Sequence, residues 1–250
     1  IGVAMGIRGT DVAKDAADLV LLDDNFATIV RVVREGRRQF ENVQRFVRYL
    51  LSSNAGEVVA ILANLYFGGP LILLATQILW MNLITDGVTA VALGLERATK
   101  DQMQDPPRPM NAGILGPAGL ALILTFGAYA GAAGLLVFYT LLPQGEDIAR
   151  TAAFTAIVVF EKMSVFAFRS FRQPCWKIGL VSNPLLLLAL VAMLAAQVAA
   201  VYWPPLQLLL RTVPLGVEHW QMIGLLALPL ILVPEAVKTV MVWRDRNSPA

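Results

Sequence analysis

From about Leu50 to its last residues, the chain is a series of apolar stretches long enough to cross a lipid bilayer, separated by short polar connections. That feature excludes a water-soluble globular fold, since a spanning helix takes about 20 predominantly apolar residues. Composition agrees: 57% of residues are hydrophobic and only 15% charged, against about 25% charged in ordinary soluble domains. The charges are also uneven, with fifteen of the thirty-eight Asp, Glu, Lys and Arg in the first fifty residues. A short polar head therefore precedes a membrane region, and the length leaves no room for a large extramembrane catalytic domain. Cys175, the single cysteine, rules out a disulfide framework and a CxxC metal site.

Residues 1–25 read as the edge of a soluble α/β sheet. IGVAM is a short apolar run ended by Gly6, DVAKDAADLV has helical spacing behind Asp11 as a possible cap, and LVLLDD is a buried-strand pattern closed by two carboxylates. The start at Ile1, inside a strand pattern, suggests a fragment cut within a domain. From Asn25 to Gly68 no proline interrupts the sequence. Its first half is amphipathic and basic, with Arg31, Arg34, Arg37, Arg38, Arg45 and Arg48, and its second half is apolar. One long helix entering the bilayer from a polar stalk is the economical reading. The arginines suit a solvated face and a membrane anchor better than a nucleic-acid patch.

Gly68, Gly69 and Pro70 turn the chain, and residues 71–95 return across the membrane. After a polar, proline-bearing loop at 96–116, four further apolar stretches run at about 117–142, 151–168, 184–203 and 219–243, for six spans in all. The expected fold is mainly α, six transmembrane helices after an α/β edge. The organisation is 1–25, 26–95, 96–116 and 117–250. If the stalk is cytoplasmic, the same side carries Arg97, Lys100 and Arg108 in one loop, Arg169, Arg172 and Lys177 in another, and Arg244 and Arg246 in the tail. The opposite connections hold Arg150 and Arg211 alone. Positive residues collect on the cytoplasmic side, so both ends are expected there.

Ionisable groups at bilayer depth cost at least ~2.5–3.5 kcal/mol each, so each requires a reason. Glu57, Asp86 and Glu161 are such groups. Asn54 lies three residues before Glu57, and Asn82, Thr85 and Asp86 have i, i+3, i+4 spacing, so each set occupies one helix face. The three-residue turn between the two helices sets these faces at similar depth. Oxygen ligands without His or Cys suit hard cations such as calcium and disfavour zinc or copper. Gly87 offers a place where the helix can loosen and free carbonyl ligands. The other reading makes Asn54, Asn82 and Thr85 hydrogen-bond glue between helices, but two acids among them favour an ion site. Lys162 follows Glu161 about 100° further round the helix, as a local charge pair or a lysine snorkelling to the interface. Glu235 with Lys238 reads as a structural pair, His219 as an interfacial residue and the methionines as packing.

IGVAMG, GTDVAKDAADLVLLDDNFATIV, RYLLSSNAGEVV and QILWMNLITDG followed by DPPRP occur in this order. The sequence resembles the C-terminal part of P-type cation-transporting ATPases, most closely the calcium pumps, strongly to about residue 115 and loosely beyond. The resemblance implies that residues 1–25 end a phosphorylation domain and that the spans correspond to the family's fifth to tenth helices. It also implies that Asn54 and Glu57, then Asn82, Thr85 and Asp86, then Glu161 match cation ligands of the fifth, sixth and eighth. The DPPRP loop would be the cytosolic connection that communicates with the phosphorylation domain. Sodium/potassium-type relatives usually carry Asp where this chain has Asn82, and secretory-pathway calcium/manganese pumps usually lack the acid matching Glu57, so Ca2+ is the expected cargo. Lys162 departs from the sarcoplasmic-reticulum pattern, and a cation there would replace one bound ion electrostatically, leaving one calcium per cycle.

The resemblance further implies that the phosphorylated aspartate and the ATP and Mg2+ sites belong to a missing N-terminal part of the same pump. This stretch alone should then be inactive. Its expected partners are that part, the transported cation and the lipid bilayer, with no nucleic acid, and its short loops suggest a prokaryotic plasma membrane. Alternatives are a sodium or manganese pump of the same family, a channel or secondary transporter using intramembrane acids, or a noncatalytic membrane subunit.

Overall fold

The computed structural model describes all residues except 98–102, 105, 108, 110–112, 172 and 248–250, so the expected contributions of Lys100, Arg108 and Arg172 lie outside the described residues. The chain is mainly helical and divides into two compact units, Ile1–Glu41 with Arg97–Met110, and Asn42–Glu96 with Asn111–Ala250.

In the first unit, β1 (Val3–Met5) pairs in parallel with β2 (Leu19–Leu21), Val3 opposite Leu19 and Met5 opposite Leu21. The short helix α1 (Asp11–Asp15) connects them. Its cap is Thr10, whose hydroxyl accepts the Ala13 N–H at 3.3 Å, so Asp11 is the first helical residue and not the cap. The two carboxylates after β2 stitch the turns. Asp24 accepts the N–H groups of Ile7 at 2.8 Å and Arg8 at 2.9 Å, and the Ile7 bond foremost holds its carboxyl below the usual range. Asp23 is lowered in the same way, chiefly by the Thr28 hydroxyl.

Helix α2 (Ala27–Phe67) is continuous over 41 residues and ends at Gly68, whose φ of 70° supplies the left-handed turn that glycine adopts without strain. In the second unit its buried residues Asn42, Arg45, Tyr49, Ser52, Ser53, Gly56, Glu57, Ala60 and Asn64 recur every three or four positions, the signature of one inward face.

The expected return span has three consecutive parts: α3 (Ala75–Leu79), a π-helical segment Trp80–Asp86, and α4 (Gly87–Leu93). The loosening thus lies ahead of Gly87, which is itself helical. Beyond it run α5 (Gly116–Leu141), α6 (Glu146–Phe168), α7 (Cys175–Ile178), α8 (Pro184–Tyr202), α9 (Pro204–Leu210) and α10 (Val217–Asn247). The connection expected at 204–218 therefore contains a helix. Among the described residues, five helices are long and apolar enough to cross a membrane: α2, α5 with its 3-10 extension to Gln144, α6, α8 and α10.

α6 is the centre of the second unit, buried along nearly its whole length and packed between α5 and α10. α5 meets α2 through small residues: a Cβ on Gly127 would lie 2.7 Å from that of Ala55, and one on Gly131 2.7 Å from the Gly56 carbonyl oxygen. Small residues drive such contacts in membranes, where lipid is as apolar as the core and close van der Waals approach supplies the attraction.

Buried polar groups fasten the helix ends. The Arg169 guanidinium grips Glu96 with Nη2 at 2.7 Å and Nε at 3.2 Å, while Asn183 donates to Glu96 at 3.0 Å and to the Ala92 carbonyl at 3.0 Å. Asn42 donates to the carbonyls of Gly94 and Glu96, both at 2.9 Å. Glu235 pairs with Lys238 at 2.9 Å as expected, and also accepts the Cys175 N–H at 2.6 Å. His219, in the first turn of α10, is buried: its Nδ1 accepts the Gly216 N–H at 2.9 Å and its Nε2 lies 3.1 Å from Gln144 Oε1.

Candidate cation site

Three elements of the second unit bring acids together. α2 presents Glu57, the π-helical segment presents Asp86, and α6 presents Glu161. One carboxylate oxygen from each lies within 4.8 Å of the others, and all three residues are buried. Like charges gathered this closely in a poor dielectric must be balanced, by a cation or by protons.

Lys162 supplies part of that balance. Its ammonium is fully buried, donates to Asp86 Oδ1 at 2.5 Å and to the Tyr49 hydroxyl at 2.7 Å, and lies 3.9 Å from Glu161 Oε2. Tyr49 in turn donates to Asp86 Oδ1 at 3.0 Å. This corrects the expectation for Lys162: it neither snorkels to an interface nor pairs chiefly with its neighbour. α6 is buried nearly all round, so consecutive residues both face protein.

The remaining acceptors are open. Glu57 Oε1, Asp86 Oδ2 and both oxygens of Glu161 are buried without a hydrogen-bond partner. Buried carboxylate oxygens are normally bonded, and unpaired ones call for an explanation such as an ion or water. Glu161 also borders a small cavity lined by Ser52, Ser53 and Ser164 among others.

The amide and hydroxyl residues are placed differently. Asn82 donates to Glu57 Oε2 at 3.3 Å and to the Ile78 carbonyl at 3.2 Å, which joins the π-helical segment to α2. Asn54 is half-buried and donates to the Leu50 carbonyl at 2.8 Å, while Thr85 donates to the Met81 carbonyl at 3.1 Å. Both amide nitrogens and the Thr85 hydroxyl thus serve backbone or carboxylate acceptors. The side-chain oxygen of an Asn is its atom suited to a cation.

Sequence reasoning missed Tyr49 and gave Lys162 the wrong partner. Tyr49, Ser53 and Glu57 stand at i, i+4 and i+8, so the signal for Tyr49 was its place on the same helical stripe as the acid. The π-helical turn shifts residues out of the α-helical phase, a change frequent at functional sites.

Comparison with known proteins agrees with this architecture. The family described as "Cation transporting ATPase, C-terminus" matches residues 70–240. The "Calcium-transporting ATPase" of Bacillus subtilis is 38% identical over 243 residues, covering 96% of this chain and 27% of that protein. The human "Calcium-transporting ATPase type 2C member 2" is 35% identical over 241 residues, with 95% and 26% covered. The "Probable cation-transporting ATPase F" of Mycobacterium bovis is 38% identical over 239 residues, with 93% and 26% covered. The chain spans about a quarter of the length of these relatives. It belongs to the family of cation-transporting P-type ATPases and carries their C-terminal region.

Proposed function

We propose that this chain is the C-terminal transport region of an ATP-driven pump that exports calcium from the cytosol, and that Glu57, Asp86 and Glu161, with Asn54, Asn82 and Thr85, belong to its ion site. The observation that carries this reading is the convergence of three buried carboxylates from three elements, four of their oxygens without a hydrogen-bond partner. Oxygen-only ligation suits calcium. Names of similar proteins point the same way, since two of those above are called calcium-transporting. Sodium and manganese pumps use related oxygen chemistry and are the nearest rivals.

On this reading residues 1–25 complete a phosphorylation domain, 26–95 form the stalk with the first two spans, 96–116 a cytosolic loop, and 117–250 the last four spans. The broken segment Ala75–Leu93 counts as the sixth span: its 19 residues approach the length required, and its π-helical turn buries Met81, Thr85 and Asp86 against protein. Both ends of the chain lie in the cytoplasm, at a prokaryotic plasma membrane. The phosphorylated aspartate and the ATP and Mg2+ sites belong to the part of the relatives' length that this chain does not span. Phosphorylation there tilts the stalk, pulls Glu57 away from Asp86 and Glu161, and lowers the affinity as the site opens outward.

The test is ion uptake by inverted membrane vesicles bearing the full-length pump. ATP should drive accumulation of radioactive calcium in preference to sodium or manganese. Vesicles that accumulate sodium or manganese, and not calcium, would contradict the cargo.

A further inference from the structure

We infer that Glu96 and Arg169 are positioning residues for the cation site: with Asn42 they fix the rotation of the stretch that carries Asp86, and so keep that acid turned toward α2 and α6. The inference rests on the ion-pump reading and deepens it. Asp86 is tied at one level of the second unit, where Lys162 of α6 and Tyr49 of α2 both bond its Oδ1. A second polar level lies two helical turns away. On α6, Arg169 stands seven residues after Lys162, and on α2, Asn42 stands seven residues before Tyr49. Seven residues advance a helix by about 10 Å and return to within about 20° of the same face, so each helix presents both of its polar residues on one side. The chain leaves Asp86 through α4 and reaches Glu96 in the turns after Leu93. There Arg169 grips the Glu96 carboxylate, and Asn42 holds the Gly94 and Glu96 carbonyls. Arg45 donates to Asn42 Oδ1 at 2.6 Å, which leaves the amide N–H groups for those carbonyls. Asn183, the cap of α8, adds its bond to Glu96 from a fourth helix. All of these side chains are buried.

One contact between two helices sets their separation and leaves rotation free. A second contact, two turns away, removes the rotation. The stretch that carries Asp86 needs that support: α4 has only seven residues, too few to hold a helix by themselves, and the segment before it has the π-helical pitch that chains rarely sustain. A slip by one residue's phase, about 100°, would swing Asp86 away from Lys162 and Glu161. What the second level supplies is register more than strength. A buried ion pair is often no more stabilising than apolar residues of similar volume, because the loss of hydration offsets the attraction, whereas a polar contact that has only one satisfactory partner selects one arrangement of the helices.

The experiment measures the calcium concentration that gives half-maximal phosphorylation of the full-length pump by ATP. The test variant is Glu96→Gln with Arg169→Met, which removes both charges together and leaves neither buried alone. The control is Glu235→Gln with Lys238→Met, which removes the other buried pair beside α6, one with no ion-site residue two turns from it. The test variant should need about tenfold more calcium, the size expected when an outer support of a metal site is lost, with its maximal phosphorylation retained. The control should keep the unaltered midpoint. A phosphorylated test variant with an unchanged midpoint would overturn the inference, and so would an equal shift in the control, since general loosening of the bundle would then suffice. Asn42→Ala leaves the ion pair in place and frees the Gly94 and Glu96 carbonyls; it should raise the midpoint by a smaller factor. If the double variant does not fold, an unchanged midpoint in Asn42→Ala overturns the inference instead. An unaltered pump whose phosphorylation answers to sodium or manganese and not to calcium contradicts the cargo reading alone, and the same comparison of midpoints with that ion then decides the role of Glu96 and Arg169.

Discussion

Glu161 and Lys162 are neighbours in sequence, yet the acid is left with open oxygens while the lysine serves Asp86 on another element. Their separate roles depend on the burial of α6, a tertiary fact that no local pattern discloses. The acids themselves were legible, because a carboxylate inside an apolar stretch is costly and so conspicuous. Tyr49 was not, since an aromatic residue in a membrane helix carries no such penalty. Cys175 gives a prediction at this scale. Burial foremost pushes its thiol up to about 11, and its Sγ points at the Phe166 carbonyl at 3.1 Å. The thiolate is the reactive form, and at pH 8 it would be roughly one part in a thousand. Iodoacetamide at pH 8 should leave Cys175 unmodified in the native pump, with alkylation rising as the pH approaches 11, read by mass spectrometry of the Cys175 peptide. Rapid modification at pH 8 would contradict the burial.

At the scale of elements, the long helix, four of the later spans and the Glu235–Lys238 pair followed from apolar length, spacing and turn residues. The break in Ala75–Leu93 did not, because hydropathy registers how apolar a stretch is and not the pitch of its backbone. The helix α9 was missed for the opposite reason: two prolines open it, and they read equally well as a loop. Packing between elements makes two predictions. Arg169→Ala would leave Glu96 buried without its fork of donors, a loss of about 3–5 kcal/mol for a broken buried pair. It should appear as a lower thermal denaturation midpoint of the pump in detergent. Arg169→Lys should restore only part, since an ammonium cannot make the two-pronged contact, and an unchanged midpoint in Arg169→Ala would contradict the role. Gly131→Val would press branched carbons into the backbone and side chain of α2, an overpacking cost of about 1–3 kcal/mol. The same melting experiment checks it, with Gly224→Ala, whose Cβ would meet nothing within 4 Å, as the control.

At the scale of the whole molecule, the uneven charge divides the chain as its structure does, into a small polar unit with a parallel strand pair and a larger apolar unit built around α6. What the apolar unit holds at its centre is a cluster of acids that burial alone would expel. Its retention follows if a cation is the missing partner, and Asp86 is the acid through which Lys162, Tyr49 and the open oxygens are connected. Phosphorylation of the full-length pump by ATP as a function of calcium concentration, in the unaltered protein and in Asp86→Asn, tests this most directly. The cluster's proposed role predicts that Asp86→Asn abolishes calcium-dependent phosphorylation while the protein remains folded and membrane-inserted. An unchanged calcium dependence in that variant would contradict it.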